Sequence, residues 1–108
     1  MLRIEAYIRP SSLPAFHSVL IEAGAKGITV WQTKGIGHQY HEAKKPEIFR
    51  GAVVRENYID RVRIDTVVED DQRDAVVGAL TRAAEGNELG TLQVFVTPVL
   101  ESIRVPAS

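Results

Sequence analysis

Between residues 61 and 68 the chain alternates without a break. Val62, Ile64, Thr66 and Val68 take one parity, and Arg61, Arg63, Asp65 and Val67 take the other. Successive side chains on an extended strand point to opposite faces, so this run has one side for a core and one that carries charge. A half-buried strand over about Tyr58 to Val68 is the expectation. Such a strand is not stable by itself, because three or more strands sharing an apolar face are needed to hold one.

The start of the chain repeats the pattern. Ile4, Ala6 and Ile8 alternate with Arg3, Glu5, Tyr7 and Arg9 as far as Pro10, which predicts a first strand. Ser11 and Ser12 are suited to cap a helix, and Pro14 is tolerated in a first turn. Leu13, Phe16, Val19, Leu20 and Ala23 then form one apolar stripe, and Gly24 supplies a stop. Gly27 to Lys34 reads as a second strand, with Ile28 and Val30 facing one way and Thr29, Trp31 and Thr33 the other. After the third strand, Asp70 or Asp71 caps a second helix with the stripe Val76, Val77, Leu80 and Ala84, ended by Gly86. A connection through Gly90 leads to a last strand, Leu92 to Thr97. Pro98 demotes the remaining residues to an edge or an irregular tail over about residues 99–108.

The order βαββαβ specifies an α+β, ferredoxin-like plan: one antiparallel sheet with two helices on one face. The other sheet face would carry Tyr7, Trp31 and Thr66, too apolar a surface to stay wet, so self-association is expected. Between strands two and three, from Gly35 to about Asn57, the periodicity fails. Loops of that length are uncommon in compact domains and are usually functional or disordered. Val53 and Val54 are read as a backward extension of the third strand.

Size and composition narrow the function classes. At 108 residues one domain, 1–108, is expected. It would bury roughly 65% of its unfolded surface, which leaves little to spare. Thirteen basic residues against fourteen acidic give a net charge of −1, so nothing calls for nucleic acid or an anionic membrane. No apolar run approaches the ~18 residues of a membrane span. Met1-Leu2-Arg3-Ile4-Glu5 has no signal-peptide core, and a cytoplasmic location is expected. The chain has no cysteine, which excludes disulfides, thiolate catalysis and cysteine zinc sites.

A ferredoxin-like plan hosts RNA binders, hydrolases, metal chaperones and ligand sensors, so the site has to decide. RNA binding would need paired sheet aromatics in a basic-glycine-aromatic run, and none is present. A hydrolase would want an arginine-lined anion cradle near the first turn, where Pro10-Ser11-Ser12-Leu13-Pro14 stands instead. Three features survive. Lys34-Gly35-Ile36-Gly37-His38-Gln39 has spaced glycines that let backbone N–H groups approach a phosphate; alone it is equally an ordinary turn. Gly86-Asn87-Glu88-Leu89-Gly90-Thr91 is a second glycine-bearing connection, or a plain helix stop and turn. Arg50, Arg61, Arg63 and Arg104 offer forked donors for phosphate, or form surface ion pairs, as Asp65 suggests for Arg63. His38, His41 and Glu42 make a poorly preorganised metal set on a loop. No serine, histidine and aspartate spacing suggests a nucleophile with its base, so no catalytic residue is assigned and no enzyme is expected.

Taken together these residues resemble the PII signal-transduction proteins. The likeness runs through Pro10, Leu13, Gly24, Gly27-Ile28-Thr29-Val30 and Lys34-Gly35-Ile36-Gly37 with Gln39. It continues through Arg50-Gly51-Ala52 after a slightly longer loop, then Val62 to Val68 followed by Asp70-Asp71. The resemblance implies a homotrimer with adenine nucleotides (ADP, AMP or ATP as effectors, no cofactor) in clefts between subunits. Adenine contacts would fall near Gly27, Ile28, Thr29, Val67 and Val68. Gly35, Gly37, His38, Gln39 and Arg61, with Gly90 and Thr91, would line the ribose and phosphate end, and Arg104 would reach in from a neighbour's tail. A mobile loop over about His38 to Glu56 would touch a partner protein, a transporter or an enzyme.

The departures from the family pattern are specific. His38 stands where classical members carry an arginine, Gln93 where they carry the phosphate-gripping lysine, and Pro106 where they have a second C-terminal arginine. Charge-assisted contacts are worth ~1.5–3 kcal/mol each, so losing two costs a triphosphate roughly two decades of affinity or more. ADP or AMP is therefore expected to bind at least as well as ATP. Val54 replaces the modification tyrosine and Arg61 the lysine that helps hold 2-oxoglutarate. These changes fit a divergent PII-like regulator, with bicarbonate among His38, His41, Arg50 and Arg61 a chemically reasonable co-ligand. The alternatives are a classical nitrogen regulator answering ATP and 2-oxoglutarate, and a metal-responsive or purely structural trimer.

Overall fold

The computed structural model describes residues 1–35, 47–49, 52–54, 59–85 and 92–106, with the backbone alone at 47–49 and 52–54. Four strands, β1 (Leu2–Ile8), β2 (Thr29–Gly35), β5 (Ile59–Val68) and β6 (Val94–Pro98), form one sheet in the order β2-β5-β1-β6, and every neighbouring pair is antiparallel. The helices α1 (Leu13–Glu22) and α2 (Arg73–Glu85) lie on one face of it. This is the ferredoxin-like α+β arrangement expected from the sequence.

Register explains why the sheet is two-sided. Ile4, Ala6 and Ile8 pair with Thr66, Ile64 and Val62; with Val68 they make one buried surface, onto which Phe16 and Leu20 of α1 and Val76, Leu80 and Ala83 of α2 pack. Both helical stripes therefore fall where their spacing puts them, and Ala79 and Ala83 widen the second one. Thr66 corrects the expectation. It shares the parity of Val62, Ile64 and Val68 and so belongs to the buried face, where its hydroxyl donates to the Gly27 carbonyl at 2.7 Å. A polar group so paired can sit in a core at little cost.

The helix starts also differ from expectation. Neither Ser11 nor Ser12 caps α1 with its side chain; a 3-10 turn at Pro10–Ser12 leads into the helix, closed by Ser12 N–H to the Arg9 carbonyl at 2.9 Å. Before α2 the cap is Glu69 rather than Asp70 or Asp71. Glu69 and Gln72 form a reciprocal capping box around the turn Asp70–Gln72. Gln72 Oε1 accepts from Glu69 N–H at 2.9 Å, while its Nε2 donates to the Gly24 carbonyl at 3.2 Å. One side chain thus ties the start of α2 to the turn after α1, where Gly24 has φ +100°, a left-handed conformation that side chains disfavour. The N-terminal ammonium, 3.0 Å from Asp70, braces the same corner.

The remaining differences are at the ends of elements and in the long connection. β2 begins at Thr29 and not Gly27, and β6 runs from Val94 to Pro98, with Pro98 opposite Leu2 on the sheet edge. Val53 and Val54 do not prolong β5. They belong to β4 (Ala52–Val54), which pairs with β3 (Glu47–Phe49) in a separate two-stranded sheet inside the loop assigned to about 38–56. Gly86 lies outside the described residues.

Substitutions at two positions test this account. Phe16, fully buried between the helices and the sheet, should lose about 3–5 kcal/mol on replacement by Ala, read as the shift in urea unfolding midpoint. Gln72→Ala should cost about 1–2 kcal/mol in the same measurement, because it removes a cap and a tether at once, whereas Gln72→Glu keeps the capping acceptor and should lose only the tether's share.

Candidate functional site

The residues assigned to the nucleotide fall in separate places along β2. At its start, Thr29 pairs with Asp65, and the Thr66–Gly27 hydrogen bond continues the alignment. Gly27, Ile28 and Thr29 are thereby laid beside Asp65, Thr66 and Val67. Space is open next to Gly27, with no atom within 4 Å of where a β-carbon would stand. Ile28 is half-buried against the core, and Val67 projects from the open sheet face. Val68 is buried opposite Leu2, so it has backbone but no side chain to offer a ligand.

At the far end of β2, Gly35 lies opposite Ile59 and Thr33 opposite Arg61. The Thr33 hydroxyl donates to the Arg61 carbonyl at 3.2 Å, and Lys34 forms an ion pair with Asp60. At ~3.3 Å per residue, Thr29 and Gly35 are about 20 Å apart along the strand, more than ADP spans. Arg104 is exposed in the tail beyond β6. Gly37, His38, Gln39, Gly90 and Thr91 lie outside the described residues. Within one protomer, then, the structure brings Gly27, Ile28, Thr29 and Val67 together, and sets Gly35 with Arg61 at the far end of β2.

The open sheet face has its own organisation. Register places Tyr7, Arg63 and Trp31 in one row, Phe95, Glu5, Asp65 and Thr29 in the next, and Thr97, Arg3 and Val67 in a third. Arg63 is at the centre. Its guanidinium donates to both Asp65 carboxylate oxygens, at 3.1 and 3.0 Å, and its Nε stands 3.5 Å from Glu5. It also stacks on the Trp31 ring, 4.2 Å from the centroid. The Tyr7 hydroxyl donates to Glu5 at 3.2 Å. Partial burial, and then the hydrogen bond to Glu5, push the Tyr7 phenol up from its ordinary value, and the bonded Asp65 raises Arg63 further. Around this paired centre, Tyr7, Trp31, Val67 and Phe95 remain 40–46% exposed.

The Arg63–Asp65 pairing was legible from their spacing. The contacts to Glu5 and Trp31 were not, because they depend on strand register, and only the shared parity of these residues hinted at them. Among the described residues no cluster of histidine or carboxylate groups suits a metal ion; His38, His41 and Glu42 fall outside them. No helix among the described residues is long and apolar enough to cross a membrane.

Comparison with known proteins places the chain. The family described as "Nitrogen regulatory protein P-II" matches residues 1–107. A nitrogen regulatory protein P-II of Azospirillum brasilense is 37% identical over 105 residues, covering 97% of this chain and 91% of that protein. Those of Bradyrhizobium diazoefficiens and Microchaete diplosiphon are 36% and 32% identical over the same shares. Members of this family are signal-transduction regulators, not enzymes. With its two-sided four-stranded sheet and a family match that runs nearly end to end, the chain belongs to the nitrogen regulatory protein P-II family.

Proposed function

We propose that this P-II family regulator works as a homotrimer that binds adenine nucleotides in the clefts between its subunits, with ADP or AMP held at least as well as ATP. The observation that carries this reading is the division of the site. Thr29, which follows Gly27 and Ile28, stands about 20 Å along β2 from Gly35, and Arg104 lies in the tail beyond β6. A nucleotide that uses all of them has to be enclosed by more than one copy. The open face, with four half-exposed large apolar side chains around an internally neutralised arginine, supports the same assembly.

The preference for short phosphate chains follows from His38, Gln93 and Pro106, none of which supplies a fixed cation where the family pattern has one. Arg104 remains as a guanidinium for the phosphate end. Binding would favour one shape of the segment from His38 to Glu56, and a transporter or enzyme would read that shape; a ligand shifts such an equilibrium only by its difference in affinity for the two states. Bicarbonate beside His38, His41, Arg50 and Arg61 would supply a second input. The second reading, a regulator answering ATP and 2-oxoglutarate, has in its favour the common name of the relatives, all nitrogen regulatory proteins P-II.

Two measurements decide between these. Light scattering should give three times the 11.9 kDa chain mass. Titration calorimetry should give ADP or AMP a dissociation constant equal to or below that of ATP, with no gain from 2-oxoglutarate; ATP tighter by tenfold or more would favour the classical regulator. Arg104→Ala should weaken ADP by roughly tenfold or more, the equivalent of one charge-assisted contact.

A further inference from the structure

One end of the sheet gathers a small set of charged residues. β1 is antiparallel to both β5 and β6, so β5 and β6 run the same way, and both begin at the end where β2 finishes. Gly35 at the end of β2, Ile59 and Asp60 at the start of β5, and Gln93 just before β6 therefore share that end. Gly35 and Arg61, two of the residues that the nucleotide reading assigns to the phosphates, belong to this group.

Asp60 holds two of its neighbours. It lies directly across from Lys34, the residue before Gly35, and its carboxylate takes the Lys34 ammonium in an ion pair. Its backbone carbonyl accepts from the Arg61 guanidinium at 3.3 Å. The side chains of Lys34 and Asp60 are 65% and 70% exposed, so a solute arriving from water meets the pair directly. An exposed pair of this kind contributes little to folding. Its effect is on charge: the carboxylate cancels the ammonium that stands beside the glycine.

We propose that Asp60 is a specificity-determining residue for the nucleotide: by holding Lys34 across the β2–β5 pair it withholds a cation from the end of the phosphate chain and biases the site against a triphosphate. This rests on the adenine-nucleotide function proposed for the chain. A triphosphate carries one more negative charge than a diphosphate. It therefore loses more to a carboxylate at its terminus and gains more from an ammonium released there. Lys34 has to leave Asp60 before it can meet a phosphate, and the free energy of that exchange is lost from binding. His38, Gln93 and Pro106 merely lack a fixed cation; Asp60 ties up one that the chain still has.

The test compares the full chain with Asp60→Asn, which keeps the size of the side chain and removes its charge, and with Asp60→Ser as a second exchange at the same exposed position. Titration calorimetry gives the dissociation constants of ADP and ATP for each, with and without Lys34→Met. Both Asp60 exchanges should move the preference toward ATP by roughly fivefold or more, the effect of one ammonium–phosphate contact partly screened by water. Adding Lys34→Met should abolish that shift. Lys34→Met alone should alter the preference by less than about twofold, because the ammonium is already engaged. A preference unmoved by both Asp60 exchanges overturns the role of Asp60 and leaves nucleotide binding standing. A shift that survives Lys34→Met does the same, as does an equal loss from Lys34→Met with Asp60 in place. An unaltered chain that binds neither ADP nor ATP removes both readings.

Discussion

The pairing of β1 with β5 at the centre of the sheet is the constraint on which the rest of the structure depends. Each strand alternates, and their register aligns the apolar parities, so Ile4, Ala6 and Ile8 meet Thr66, Ile64 and Val62 on one side. A slip of one residue would put Glu5 and Arg63 under the helices and turn the isoleucines out. Unpaired charges in that position would cost more than the small margin by which a chain of this size is stable. The helices can pack only because the register holds, and the open face takes its composition from the same choice.

That open face shows how the fold makes room for charge at a surface suited to burial. Arg63 would be costly to cover if it stood alone. It does not: Asp65 takes it in a two-pronged contact, Glu5 lies within 3.5 Å and Trp31 stacks on its plane. Glu5 in turn accepts from Tyr7. The cluster completes its own pairing within one chain, so a neighbour can bring apolar area against the surrounding Tyr7, Trp31, Val67 and Phe95 without having to supply counter-charges.

How much of the fold was legible in the sequence depended on the length of each pattern. Alternation along β1 and along residues 61–68 of β5, with two full apolar stripes, carries enough periods to identify element and face. The β3–β4 hairpin has three residues a side, too few for a period to emerge. The helix starts were misread because both begin as 3-10 turns. These move the capping role back to Glu69 at one helix and to plain backbone at the other. Thr66 was misplaced against its own parity, which it shares with Val62, Ile64 and Val68; what the sequence hid was the partner that lets a hydroxyl be buried there, the Gly27 carbonyl 39 residues away.

For the candidate site, the family resemblance groups Gly27 with Gly35, while the extended backbone of β2 sets Thr29 and Gly35 about 20 Å apart. Sequence proximity here is misleading, since a strand is the one element that converts few residues into long distances.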